Sequence, residues 1–389
     1  MTTAKTLLGK LALLVGSLVV TFLVLEFGVF SFILKPDDVL HNVTINGVVR
    51  YEPNEKATFR HPDGSETHVT INADGWNSTK PYYELDKTPG KLRVAIVGDS
   101  YVHGAFIDTE DGFPEVVEHE LNQAGITSEV YRFGMDGAPL SQYLQMLRQE
   151  VVAFKPDIVV VQLIHNDFDE SYRFMGTRYS SSFLKIGVDE AGRFSEIAPT
   201  PFEPGWPDLF RELKTFRYLY YETNAYLTLK SFVSKYVWGE EVLFAPEFIS
   251  SAVDTRNLDE MDKIRFVTRY VMHEMKTLAD ENGIRLMFSM DGVREAVYDG
   301  KPLSAYKVAE LNQLAAQTAK ELGVPFLDLQ QTFADDYAAN KKRFEFDFDW
   351  HWNARANVLA GKAIAEKIRT DPALLGQTAV GEVSAPPAP

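Results

Sequence analysis

The sequence contains no cysteine. The chain therefore forms no disulfide and no thiolate metal site, and any nucleophile must be a residue other than cysteine. Basic residues are also few, since 39 lysines and arginines stand against 55 aspartates and glutamates, which gives a net charge of -16. Because nucleic-acid binding requires clustered basic residues, we expect no nucleic-acid partner. We also expect no cofactor and no catalytic metal, because the spacing of metal ligands is missing among His41, His61, His68, His119 and His273.

A long apolar run lies near the N-terminus, from Leu11 to Leu34. At about 1.5 Å per residue it is long enough to cross a hydrocarbon core of roughly 30 Å. Lys5 and Lys10 precede the run, and this bias predicts a cytoplasmic N-terminus with the rest of the chain on the extracytoplasmic side. No small-x-small cleavage pattern closes the run, which favours an uncleaved anchor over a removed signal peptide. We therefore predict that residues 1–35 form a cytoplasmic tip and a single-pass anchor in the cytoplasmic (inner) membrane.

One carboxylate interrupts this apolar run, at Glu26. A charged side chain is costly in lipid. We expect Glu26 either to lie near the outer interface or to pair with another membrane helix.

The rest of the chain divides by pattern. Residues 36–91 contain short alternating stretches between turns, which predict a β-rich lead-in. From residue 92 onward, short β-branched runs alternate with helical patterns, which predicts a parallel sheet covered on both faces. The predicted strands are 93–97, 129–133, 157–163, 285–290 and 325–328. The fold class is thus α/β, a three-layer α/β/α domain over residues 92–375 with a flavodoxin-like strand order of 2-1-3-4-5.

Two segments depart from this alternation. Residues 168–258 form an aromatic-rich, mostly helical insertion, which could cover an active site, bind a sugar chain or simply pack on the domain. Residues 376–389 are small and rich in proline and alanine, and we expect them to be disordered.

The most informative motif is Gly98-Asp99-Ser100, which ends the first predicted strand. A loop at the carboxyl end of a parallel strand presents its side chains where ligands bind in open α/β folds. An Asp-Ser pair after a strand is also an ordinary helix N-cap, so the motif alone leaves both interpretations open.

Further residues suited to acyl-transfer catalysis follow other predicted strands or precede the last helix. Gly137 follows the second strand, Asn166 follows the third, and Asp349 and His351 precede the last helix. Acyl transfer needs a nucleophile, a base, a carboxylate that orients the base, and donors for the oxyanion. With Ser100 as the nucleophile, these residues supply all four functions.

These blocks resemble those of the SGNH (GDSL) hydrolase superfamily, over roughly residues 92–367. The turn Asn72-Ala73-Asp74-Gly75 is similar to one in the membrane-anchored bacterial branch. The resemblance implies that Ser100 is the nucleophile and His351 the base. It also implies an oxyanion hole formed by the backbone N–H groups of Ser100 and Gly137 and by the side chain of Asn166. Asp99 would hold the loop rather than react.

Two positions depart from the family pattern. Ile164 stands where the third block usually has a glycine, and Phe348 stands where the last block usually has its aspartate. The chain offers Asp349 or Asp347 instead, and we favour Asp349, although a backbone carbonyl is a further candidate. The Asp-x-His spacing of Asp349 and His351 resembles that of alginate-type O-acetyltransferase proteins.

Two other polar residues near the blocks have ordinary explanations. His103, near the nucleophile, could meet substrate, although we favour a surface histidine at a helix start. Asp291, after the fourth strand, could touch substrate, although a turn aspartate is the simpler interpretation.

The function that follows is a membrane-anchored serine esterase that hydrolyses an O-acyl ester outside the cytoplasm. Its substrate would be an acylated small molecule or polysaccharide, for example an O-acetylated carbohydrate. One alternative is a polysaccharide O-acetyltransferase with the same triad. The other is a non-catalytic envelope assembly factor that keeps the fold as a binding module.

Overall fold

The computed structural model of the protein describes residues 2–176, 179–189, 193–219, 248–249 and 253–376. Two compact units are present. One comprises Met1–Leu40, Ala57–Glu66 and Glu203–Ala245, and the other comprises His41–Lys56, Thr67–Phe202 and Pro246–Pro389. Most of the second half of the predicted insertion, and the predicted disordered tail from residue 377 onward, lie outside the described residues.

The larger unit is built on a five-stranded parallel sheet. Its strands are β1 (Leu92–Gly98), β2 (Ser128–Gly134), β3 (Ile158–Leu163), β4 (Arg285–Met290) and β5 (Phe326–Asp328). Their spatial order is β5-β4-β3-β1-β2. Numbered along the chain, this is the order 2-1-3-4-5, so the predicted topology and all five predicted strands are confirmed.

Helices cover both faces of this sheet, because its strands are apolar on both sides. Every residue of β2 and β3 is buried. The helices Phe113–Gln123 and Ala354–Thr370 pack together in the core formed against Val94, Ile96 and Val160. The other face carries Leu140–Gln149, Met261–Glu281 and Ala309–Glu321. The three-layer α/β/α arrangement is therefore confirmed.

Shorter elements complete the larger unit. Its further helices are Ser100–His103, Asp167–Glu170, Arg294–Asp299, Gln330–Asn340 and Pro372–Leu375. Antiparallel strand pairs within this unit include Asn42–Ile45 with Val48–Tyr51, Lys185–Val188 with Phe194–Ile197, and Phe248–Ile249 with Val253–Asp254. Lys56–Arg60 and Glu66–Thr70 are also strands, and residues 57–66 belong to the smaller unit.

The lead-in supports the loop after β1. The side chain of Asn72 accepts hydrogen bonds of 3.0 Å from the backbone N–H groups of Asp74 and Trp76, which closes the turn seen in the sequence. Further along, Asn77 Nδ2 donates to the carbonyl oxygen of His103 at 2.7 Å. His103 ends the short helix that begins at Ser100, so this contact fixes the far end of that helix.

The smaller unit begins with a long apolar helix. An α-helix over Thr2–Val24 continues through a π-turn at Leu25–Val29 into Phe30–Phe32. The stretch Thr6–Phe32, 27 residues with a mean hydropathy of 2.4, is long and apolar enough to be a membrane anchor or a signal sequence. Two short helices from the predicted insertion, Trp206–Arg211 and Lys214–Arg217, belong to the same unit.

Candidate active site

Ser100 begins a helix at the carboxyl end of β1. Asp99 caps that helix, because its Oδ1 atom accepts a hydrogen bond of 2.9 Å from the backbone N–H of Tyr101. The helix passes so close to β2 that a Cβ atom on Gly134 would collide with the backbone of His103. Both interpretations of the motif therefore hold together: the Asp-Ser pair is an N-cap, and the cap presents the serine at the edge of the sheet.

The three residues of the predicted triad are in contact. Ser100 Oγ lies 2.8 Å from His351 Nε2. On the other side of the ring, Asp349 Oδ1 accepts hydrogen bonds from His351 Nδ1 and, at 2.8 Å, from the backbone N–H of the same histidine. Because Nδ1 faces a carboxylate, it carries the proton in the neutral ring. This leaves the lone pair of Nε2 directed at the hydroxyl of Ser100.

The two candidate carboxylates differ in position. The side chains of Asp349 and His351 are each 16% exposed, whereas Asp347 is an exposed residue. The structure thus brings Asp349, and not Asp347, to the histidine ring.

The predicted oxyanion donors lie at the ends of the neighbouring strands. Gly137 follows β2 and has a positive φ of 67°, a conformation that side-chain-bearing residues rarely adopt. The ring of Tyr179 lies beside it, 3.6 Å from where a Cβ atom would be. Asn166 follows β3 and is half-buried, with its Nδ2 atom 3.5 Å from Glu170 Oε1. The sheet topology places both residues at the edge that carries Ser100, and their oxyanion roles stay predictions.

The isoleucine at the glycine position of the third block has a structural explanation. The backbone N–H of Ile164 donates to Asp167 Oδ2 at 2.7 Å, and the hydroxyl of Tyr143 donates to Asp167 Oδ1 at the same distance. Ile164 is fully buried. The carboxylate of Asp167 therefore stabilises this turn, so the turn does not require a glycine at position 164.

Three carboxyl groups, those of Asp99, Asp167 and Glu170, interact electrostatically next to the serine. Burial raises the pKa of Asp99, and burial together with the charge of Asp99 raises the pKa of Asp167. Burial, with a contribution from Asp169, also raises the pKa of Glu170 to about 7. Carboxyl groups with raised pKa values near a nucleophile are frequent at functional sites.

A buried network that the sequence did not reveal holds the loop of His351. Arg294 Nη1 donates to the carbonyl oxygen of Trp350 at 2.7 Å, and Arg294 Nη2 donates to the hydroxyl of Tyr101 at 3.0 Å. Asp291 accepts a hydrogen bond of 3.0 Å from Trp352 Nε1. Asp291 is fully buried, so it is neither a surface turn residue nor an exposed substrate contact. The signal in the sequence was an Asp-x-x-Arg pair directly after β4, which periodicity does not single out.

Two histidines near the blocks are structural. His103 is 3% exposed and its ring packs 4.5 Å from that of Tyr51, so the expected surface position was wrong. It is buried because the lead-in covers the helix that it ends. His165 is fully buried and contacts Asn312 Oδ1 through Nε2 at 2.8 Å.

Aromatic rings line one side of His351. The ring of Phe106 lies 5.8 Å from that of His351 and 5.8 Å from that of Phe348, and Phe346 packs 5.1 Å from Phe348. The side chain of Trp350 is 47% exposed beside them. We call these four residues, Phe106, Phe346, Phe348 and Trp350, the aromatic wall. Among the described residues, no three His, Asp or Glu side chains are placed to hold a metal ion.

The sheet, the serine after its first strand and the contact with His351 define an α/β domain with a hydrolase-type site. Two family models match the chain: "GDSL-like Lipase/Acylhydrolase" over residues 94–192, and "SGNH hydrolase-like domain, acetyltransferase AlgX" over residues 248–386. Both models describe SGNH (GDSL) hydrolase-like domains, and their matches fall on the two halves of the sheet domain. This class of domain acts on acyl esters, by hydrolysis or by acetyl transfer.

The solved structures that this chain matches have low sequence identity and low TM-scores. One is the lipase/acylhydrolase from Enterococcus faecalis, at 14% identity and a TM-score of 0.39, covering 71% of this chain and 95% of that one. Another is a catalytic mutant of Axe2, an acetylxylan esterase from Geobacillus stearothermophilus, at 12% identity and a TM-score of 0.39, covering 74% of this chain and 98% of that one. A comparison with curated proteins finds no significant match.

Proposed function

We propose that this protein is a membrane-anchored serine esterase that cleaves an O-acyl ester on the extracytoplasmic side. The observation that carries the proposal is the 2.8 Å contact between Ser100 Oγ and His351 Nε2, with Asp349 on the opposite side of the ring. A serine hydroxyl is a weak nucleophile unless its proton leaves as it attacks. His351 is placed to accept that proton, and Asp349 holds it in the required tautomer.

The reaction proceeds in two halves. Ser100 Oγ attacks the acyl carbon while its proton moves to His351 Nε2, and the carbonyl oxygen becomes an oxyanion. The backbone N–H groups of Ser100 and Gly137 and the side-chain amide of Asn166 donate to that oxyanion. The tetrahedral intermediate collapses, and His351 returns the proton to the departing alcohol. Water then attacks the acyl-enzyme by the same route and releases the acid.

The aromatic wall supports a carbohydrate ester as the substrate. Aromatic rings offer broad apolar faces against which the C–H faces of a sugar can lie, while polar edges remain available to its hydroxyls. Trp350 is partly exposed and adjacent to His351 in the chain, so its ring is available beside the acyl group.

A second candidate function is acetyl transfer to a carbohydrate hydroxyl. The match of residues 248–386 to the AlgX acetyltransferase model favours it, because this range contains both Asp349 and His351. The chemistry of the acyl-enzyme is the same in both cases, and the second nucleophile decides the outcome: water in hydrolysis, a sugar hydroxyl in transfer.

Membrane anchoring is part of the proposal. Glu26, inside the apolar helix, accepts hydrogen bonds of 2.8 Å from the backbone N–H groups of Lys214 and Thr215. A leader removed after export would leave these two donors without that partner. The contact therefore supports a retained anchor over a cleaved signal peptide.

One experiment separates these functions. The full chain in detergent or nanodiscs is incubated with p-nitrophenyl acetate, with and without a polysaccharide acceptor, beside Ser100→Ala. Free acetate alone supports the esterase, and acetylated glycan supports the transferase. If the wild-type protein and Ser100→Ala release acetate equally, and a fluorophosphonate probe labels neither, the binding-module alternative replaces both.

A further inference from the structure

The short helix Trp206–Arg211 exposes its apolar face. Trp206, Leu209 and Phe210 stand at positions i, i+3 and i+4, which share one face of a helix. They are 74%, 70% and 44% exposed, whereas the side chains of Asp208 and Arg211 on the same helix are each 20% exposed and paired at 3.7 Å. This is the reverse of the usual surface helix, whose polar residues face outward. An exposed apolar patch of this kind marks an interaction surface.

The same segment is attached to the end of the apolar helix. Beyond the two hydrogen bonds to Glu26, Lys214 Nζ donates to Ser31 Oγ at 3.0 Å. The ring of Tyr218 packs 4.8 Å from that of Phe30, and Arg217 donates to the carbonyl oxygen of Asp37 at 2.7 Å. All of these partners lie between residues 26 and 37, at and just beyond the C-terminal end of the apolar helix.

The length of the helix sets the depth of these contacts. Counted from Leu11, where the apolar run begins, twenty residues end at Phe30 and extend about 30 Å, which matches the thickness of a hydrocarbon core. Glu26 then lies about one helical turn inside the outer boundary, where its carboxylate accepts hydrogen bonds from two backbone N–H groups. A segment docked on residues 26–37 lies at the level of the lipid headgroups, where Trp and other aromatic side chains are enriched.

We infer that residues 206–219 form an interfacial segment whose Trp206, Leu209 and Phe210 insert into the outer surface of the bilayer around the anchor. The inference rests on the proposed membrane anchor and adds a second point of membrane contact, about 170 residues further along the chain than the anchor. The basic side chains of Lys214 and Arg217 stand on the same segment, at the depth of anionic lipid headgroups.

The absence of cysteine makes a direct test possible, because each single-cysteine variant carries a unique thiol. Trp206→Cys and Leu209→Cys are labelled with a nitrobenzoxadiazole fluorophore in full-length protein, one chain per nanodisc of phosphatidylcholine and phosphatidylglycerol. Leu14→Cys reports the anchor. Leu85→Cys is the matched control, because Leu85 is a leucine 58% exposed in the other compact unit.

The readout is loss of fluorescence when the discs contain doxyl-labelled lipid. The inference expects the labels at positions 14, 206 and 209 to lose fluorescence and the label at position 85 to keep it. If position 14 is quenched but both 206 and 209 respond only to a water-soluble quencher, the interfacial segment is refuted while the anchor stands. If position 14 is not quenched, the anchor and the inference fail together. A further set of nanodiscs carries two chains each. If the labels at 206 and 209 are quenched only in that set, the exposed face contacts a second copy of the chain, and the lipid contact is refuted.

Discussion

The guanidinium of Arg294 donates a hydrogen bond of 2.7 Å to the carbonyl oxygen of Trp350, the residue before His351. Arg294 is 2% exposed and also binds the hydroxyl of Tyr101, the residue after Ser100. One buried side chain thus connects the loop of the base to the helix of the nucleophile. The 2.8 Å contact between Ser100 and His351 depends on both of these elements.

We expect Arg294→Met to weaken both folding and catalysis. Removing one partner from a buried ion pair costs about 3–5 kcal/mol, because the remaining charges stay buried. The carboxylates concerned are Asp291 and Glu345, each 3.5 Å from the guanidinium. We expect kcat to fall more than KM rises, since the loop of His351 loses its anchor, and Arg294→Lys to restore part of kcat.

Urea unfolding and steady-state kinetics measure these effects. Arg265→Met is the control, because Arg265 forms a half-exposed surface pair with Asp262 and should cost about 0–1 kcal/mol. Equal effects of the two substitutions on stability and kcat would contradict the positioning role of Arg294.

The two aspartates of the last block should differ sharply on mutation. Asp349→Asn removes the carboxylate that selects the tautomer of His351, and we expect kcat to fall about 10³–10⁴-fold with little change in KM. Asp347→Asn, two residues earlier on an exposed position, should leave kcat near the wild-type value. Ester turnover by both variants is the measurement. A larger loss with Asp347→Asn would reverse our assignment of the orienting carboxylate.

Asn166→Ala tests the side-chain donor of the oxyanion hole. Losing one such donor costs about 2.7–4 kcal/mol of transition-state stabilisation, or about 10²–10³ in kcat. Asn166 is half-buried, so the midpoint of thermal unfolding should change little. Asn282→Ala, on an exposed helix end, is the matched control. Wild-type turnover by Asn166→Ala would remove Asn166 from the hole.

The pH dependence of stability should reflect Glu170. Its pKa is raised from an ordinary value of 4.5 to about 7 by burial. Between these two values the folded state holds a proton that the unfolded state has released, so the free energy of unfolding falls as the pH rises. The contribution reaches at most about 1.4 kcal/mol per pH unit and ends above pH 7.

Glu170→Gln should therefore make the stability curve flatter between pH 4.5 and 7, as measured by urea unfolding at several pH values. Asp99 and Asp167, whose pKa values are raised in the same direction, keep part of the slope in the variant. Glu310→Gln, at an exposed position, serves as the control. A slope unchanged by Glu170→Gln would contradict a carboxyl that stays protonated up to about pH 7.

The central sheet was predictable because its signals are local. Each strand is a short β-branched run, and the regular alternation of strand and helix predicts a parallel sheet with helices on both faces. Gly98-Asp99-Ser100 and Asp349-x-His351 were visible for the same reason, since each block is contiguous in the chain.

Other features were decided by the tertiary structure alone. Asp291 and Arg294 directly follow β4, whereas Trp350 and Trp352 flank His351 about 60 residues later, and only the folding of the chain brings the two segments together. The hydrogen-bond partners of Glu26, Lys214 and Thr215, are about 190 residues away in the chain. The sequence therefore showed that a carboxylate in the apolar run needs a partner, but it did not show which residues provide it.

Composition and periodicity determined the fold class and the apolar helix, because hydrophobic burial and backbone preference act over neighbouring positions. The residue types of the site came from short motifs and from the family that these motifs resemble. The tertiary structure decided which aspartate reaches His351 and what holds that loop in place. It also decided which face of the helix Trp206–Arg211 is left exposed. The physical reason is that these outcomes depend on contacts and buried hydrogen bonds between residues that are far apart in the sequence. Such residues become neighbours only when the chain folds.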